Sequence, residues 1–110
     1  MHVEIHTDNT INGSDALTAS VTDEVRESLE HHDGRVQRIE VHLADESAGR
    51  ATEDDIRCLL TADLKGQSQV VASHHANSVE QAVTGAAHKL ARAIEHRLGR
   101  ISGQTARDHA

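Results

Sequence analysis

Three stretches of the chain alternate apolar and polar residues, and that period of two restricts the fold more than any other feature of the sequence. In "HVEIH", residues 2–6, Val3 and Ile5 fall on one side and His2, Glu4 and His6 on the other. "RIEVHL", residues 38–43, sets Ile39, Val41 and Leu43 against Arg38, Glu40 and His42. "IRCLLTADL", residues 56–64, places Ile56, Cys58, Leu60 and Ala62 along one face. Successive side chains of a strand point to opposite faces of its sheet, so each stretch is a strand with one face to bury and one to leave in water. A sheet of such strands must be covered on a single side.

Two helical repeats supply the cover. After the turn formers of "DNTINGSD", Ser14 stands where a helix N-cap belongs, and Leu17, Val21, Val25 and Leu29 follow at intervals of four until "HHDG". The outer face of this helix carries Asp23, Glu27 and Glu30. The second repeat opens at Asn77, with Glu80 three residues on in the spacing of a capping box. Its stripe of Val79, Ala82, Val83, Ala86, Leu90, Ala93, Ile94 and Ile101 predicts a helix of roughly 20 residues, about 30 Å long. Ahead of it, "KGQSQ" turns the chain into "VVASHH", a fourth strand forming a hairpin with the third. "ADESAGRATEDD", residues 44–55, is too polar and too long for a tight turn and reads as a flexible loop.

The resulting order is β-α-β-β-β-α: an α+β domain over residues 1–101 in which both helices pack on one face of a four-stranded sheet. The first β-α-β unit should cross over with its strands parallel. Residues 102–110 lack apolar periodicity and are expected to form a disordered tail.

The chain has no Phe, Tyr or Trp, and 23 of its 110 residues are Val, Ile or Leu, so the core must be thin and aliphatic. A lone cysteine, Cys58, excludes an intramolecular disulfide, and its inward phase makes it a small core residue rather than a nucleophile. No segment has the pattern of a signal peptide or the length to span a bilayer, so a cytoplasmic protein without membrane contact is expected. The "EDD" run at 53–55 has no base beside it, and no catalytic constellation, phosphate-cradling glycine motif or cofactor box is present. An enzyme, a small-molecule substrate and a cofactor are therefore not expected. Of the ten histidines, His74 and His75 point to opposite faces of their strand, while His6 and His42 can meet across adjacent strands with His2 alongside. Exposed histidines that gain charge below about pH 6.5 account for these, and no metal is assigned.

Charge is distributed unevenly. The formal net charge is -7, yet residues 85–110 hold five Lys or Arg against two Asp or Glu, whereas residues 1–84 hold six against sixteen. Lys89, Arg92, His96 and Arg100 follow at spacings of three, four and four, a basic stripe beside the apolar one. Such a stripe tracks a phosphate backbone without base contacts, Arg gripping phosphate oxygens in pairs. Arg97 falls toward the apolar stripe near the helix end, and Arg38 and Arg57 lie on the open sheet face. The plainer reading of the stripe is a solvated face whose cations favour the helix dipole. Lacking aromatic side chains, the chain cannot stack bases on Phe, Tyr or Trp, which leaves structured RNA read by shape and phosphate.

Four segments in this order resemble the hibernation-promoting factor/RaiA family of ribosome-associated proteins: "HTDNTINGSDAL", "RVQRIEVHLADE", "EDDIRCLL" and "SVEQAVTGAAHKLARAIEHRLGRI". The resemblance covers about residues 2 to 101. It implies a non-enzymatic factor that binds the small ribosomal subunit and its 16S rRNA in the decoding region, silencing or protecting idle ribosomes. Lys89, Arg92, Arg97, Arg100, Arg38 and Arg57 are then the expected rRNA contacts. The C-terminal dimerisation domain of the family's longer members is not expected here. Because the first helix is acid-faced, whereas members that bind rRNA tightly tend to display more basic helices, a second reading stands beside the first: a protein-interaction module of the same fold that has lost RNA affinity.

Overall fold

The computed structural model describes residues 1–8, 11, 13–46 and 56–106, with side chains through residue 99. The "EDD" run and most of the 44–55 loop lie outside the described residues, as do residues 107–110. The elements follow the expected order: β1 (His2–Thr7), α1 (Asp15–Ser28), a single 3-10 turn (Glu30–His32), β2 (Val36–Asp45), β3 (Ile56–Leu64), β4 (Val70–Ala76) and α2 (Val79–Ala106). The sheet order is β1-β2-β3-β4; β1 runs parallel to β2, and the other pairs are antiparallel.

Register explains why every strand contributes to one core. Across β2, β3 and β4, Ile39 pairs with Ala62 and that with Val70, Val41 with Leu60 and that with Ala72, and Leu43 with Cys58 and that with His74. A bulge between Val36 and Arg38 resets the alternation by one residue. This is how Val36 and Ile39, three apart, are both buried. The strand is thereby longer than its strictly alternating segment.

Both helices lie over this face. Val21 and Val25 descend from α1 and Leu29 from its C-cap, and Ala82, Val83, Ala86, Ala87, Leu90 and Ile94 from α2, each almost fully buried. The largest fully buried side chains are Leu29, Ile39, Leu60, Leu90 and Ile94, and among the described residues no polar or charged side chain is buried with them. Cys58 lies in this core with no exposed surface, and burial pushes its thiol up to about 12. The thiol stays protonated and inert in the folded state. Gly85 sits where α2 crosses β4, and a Cβ there would stand 2.1 Å from the His74 imidazole, so glycine lets the helix settle onto the strand. Gly66 turns the β3–β4 hairpin with φ +69°.

Ser14 caps α1 as expected, its hydroxyl accepting the Leu17 N–H at 3.1 Å. Glu30 does not belong to the outer face of α1, because the helix ends at Ser28 and Glu30 begins the 3-10 turn. The cap of α2 is Ser78 rather than Asn77: its hydroxyl accepts the Gln81 N–H at 3.2 Å. The helix begins at Val79, so the residue three beyond the cap is Gln81, not Glu80. Ser78→Ala should cost about 1 kcal/mol, read as a lower urea midpoint, whereas Asn77→Ala should cost a few tenths at most.

Helix α2 has 28 residues, longer than its apolar stripe, since backbone hydrogen bonds continue a helix once started whether or not its face is covered. It turns back from the end of β4 and reaches the β3–β4 hairpin at Arg97, which contacts Ser68.

Candidate nucleic-acid interface

The basic face of α2 flanks the edge strand β4. Lys89, Arg92 and His96 are exposed along it, as the spacing predicts. Lys89 Nζ donates to the Ser73 carbonyl at 3.2 Å, covering an edge carbonyl of β4 with a charge at the water interface. Arg92 has no hydrogen-bond or ion-pair partner among the described residues, so its five donors face solvent. Arg97 is half-buried and otherwise engaged: Nη1 donates to both the carbonyl and the hydroxyl oxygen of Ser68, each at 3.0 Å. It ties the helix to the hairpin, and its aliphatic stem lies toward the apolar stripe. Arg100 falls on α2, with its side chain outside the described residues.

The open sheet face holds Arg38 and Arg57 in different surroundings. Arg38 is bracketed by carboxylates: its Nη2 donates to Glu4 and, at 2.8 Å, to Glu40. The Glu4 hydrogen bond, joined by attraction from Glu4, Glu40 and Asp63 and opposed by desolvation, holds the guanidinium above its ordinary value. A cation so neutralised offers little net charge to a phosphate. Arg57 stands between Ala44 and His75 in register, half-exposed and without a partner among the described residues. His75 pairs instead with Glu46 at 2.9 Å, a link across the sheet that local spacing does not reveal.

The histidines of β1 and β2 also meet here. His6 and His42 are register partners, and their rings stack 4.8 Å apart at 13°. Glu40, not His2, is the third group drawn to them. His2 lies 3.8 Å from Glu4 instead.

On the helical side the charge reverses. Between α1 and α2 runs an open groove of about 490 Å³, with Leu17, Val21 and Val83 in its walls and Asp23, Glu24, Glu27 and Glu80 among its polar lining. The groove between the helices is thus acidic and the outer flank of α2 basic. Among the described residues no helix is long and apolar enough to cross a membrane.

The sequence of residues 3–102 matches the model of the family described as sigma 54 modulation protein / S30EA ribosomal protein. The fold is similar to the Protein Y N-terminal domain of Thermus thermophilus, with a TM-score of 0.68 and 18% identity over 87% of this chain and 98% of that one. It is also similar to a ribosomal subunit interface protein of Coxiella burnetii, with a TM-score of 0.66 and 16% identity over 89% of this chain and 99% of that one. No curated protein matches the chain by sequence.

Proposed function

The chain belongs to the sigma 54 modulation protein / S30EA ribosomal protein family, and from that membership we propose that it is a non-enzymatic ribosome-associated factor. Its ligand is the small subunit's decoding region, held through 16S rRNA phosphates, and its effect is to silence or protect idle ribosomes. The observation that carries this reading is the exposed α2 flank, where Arg92, without a hydrogen-bond or ion-pair partner among the described residues, stands beside Lys89 and His96 in a chain of net charge -7. A chain of net charge -7 approaches RNA through the part of its surface where cations outnumber acids, and residues 85–110 hold five Lys or Arg against two Asp or Glu. Arg92 is the central contact, with Lys89 and Arg100 extending it along the helix. Arg57 is a second point of approach from the open sheet, and Arg97 and Arg38 contribute chiefly through the internal bonds that hold them.

The acidic groove between α1 and α2 favours a second reading, in which the same fold docks a basic protein segment instead of RNA. Sedimentation of lysate through a sucrose gradient separates the two, co-migration with small subunits or whole ribosomes supporting the first. Binding to purified small subunits should also fall steeply with salt. Three phosphate contacts release enough counterions that a fourfold rise in salt weakens binding roughly twenty- to fortyfold. A salt-independent affinity would exclude phosphate contact as the source of binding.

A further inference from the structure

We propose that His6, Glu40 and His42 form a binding site for a divalent transition-metal ion on the open face of the sheet, with zinc or nickel as the ions it suits. The donor atoms of these three side chains all lie within 4.8 Å of one another. The backbone puts them there: His6 and His42 are register partners of the parallel β1–β2 pair. Glu40 precedes His42 by two residues and so shares its face. Donors on a tetrahedral zinc ion stand about 3.3 Å apart, given metal–ligand bonds of roughly 2.0–2.1 Å. The site must close by about an ångström and a half. Side-chain rotation supplies that movement, since His6 is exposed and its ring has no hydrogen-bond partner among the described residues.

The stacked rings are parallel to within 13°, so their lone pairs do not converge on one point, and metal binding swings at least one ring out of the stack. Two imidazoles and one carboxylate select zinc, nickel or copper over calcium or magnesium, which prefer all-oxygen sets. Three protein donors leave a position open to water. Arg38 donates to Glu40 Oε1 and thereby orients the carboxylate, while Glu4 balances the guanidinium's charge. An ion here also joins β1 to β2. Strand β1 is an edge strand paired on one side only, so bound metal should stabilise the folded chain directly.

The test uses the full chain and zinc chloride alone. Isothermal titration should give one ion per chain, with a rise in thermal midpoint at saturating zinc. His6→Ala and His42→Ala should each weaken binding by more than about tenfold and abolish the midpoint shift, with Glu40→Gln intermediate. His88→Ala, on the exposed flank of α2, should bind as the wild type does. Proton NMR of the imidazoles should show His6 and His42 shifting together on zinc addition. Absence of saturable one-to-one binding overturns the site. So does binding that survives both His6→Ala and His42→Ala, which would place the ion on other histidines. None of these readouts involves the ribosome, so the site and the ribosome reading stand or fall separately.

Discussion

Leu60→Ala should destabilise the domain by about 2–5 kcal/mol, a large fraction of what holds a single domain folded. Leu60 has no exposed surface and lies on the inner face of β3, between Val41 on β2 and Ala72 on β4. Without an aromatic residue anywhere, the surrounding core consists of Leu, Ile, Val and Ala side chains and Cys58, fixed to the helices and strands. Held in this way, they relax only partly into the vacated volume. Leu59→Ala is the internal comparison, since Leu59 is next in the chain but only half-buried on the open face. It should cost well under half as much. Urea denaturation measures both, and labelling of Cys58 gives a second reading on the same molecules. Its buried thiol, held up to about 12, reacts only when the core opens. If labelling proceeds through global opening, Leu60→Ala should accelerate it roughly thirtyfold or more. Equal losses at Leu59 and Leu60 would contradict the assignment of the two faces.

That pair of leucines also shows why so much of the fold was legible. Alternation assigns Leu60 inward and Leu59 outward without any tertiary information, because strand geometry converts sequence parity into a face. The same rule placed Ile39, Val41, Leu43 and Cys58, and the period of the helices placed Val25, Leu90 and Ile94. Parity fails only where the backbone breaks it. Val36 is buried because a bulge shifts the count by one, and nothing in "RVQRIE" announces a bulge.

For the candidate site, the exposed face was legible and the pairing of its cations was not. Helical spacing put Lys89, Arg92 and His96 on one exposed face, a local property. Whether each cation is free depends on partners distant in the chain. Arg97 meets Ser68, 29 residues away, and Arg38 meets Glu4, 34 residues away. Charge counting treats all of these cations as equal, whereas register and packing leave Arg92 open and occupy Arg97 and Arg38. Glu40 was missed as a partner of the histidines for a related reason. Its neighbourhood with His6 exists only once β1 and β2 are in register.

Arg92→Glu should therefore weaken ribosome binding by roughly tenfold to a hundredfold, since a charge-assisted hydrogen bond is worth about 1.5–3 kcal/mol and the reversal sets a carboxylate against phosphate. The fold should be unaffected, because Arg92 is exposed and has no partner among the described residues. The opposite change belongs in the acidic groove. Glu24→Gln with Glu27→Gln removes two negative charges from α1 while keeping side chains of nearly equal helix propensity. Ribosome binding should then rise, most at low salt, where the Debye length is longest and the groove's charge is felt farthest. A basic protein partner seated in the groove would respond in reverse: the double glutamine variant would release it, and Arg92→Glu would scarcely matter. Recovery of ribosomes from lysate on the tagged wild type and the two variants, each first shown by circular dichroism to be folded, ranks the readings in one comparison. Equal recovery on all three would refute charge segregation as the source of affinity. Loss with the groove variant would move the binding surface from the flank of α2 to the cleft between the helices.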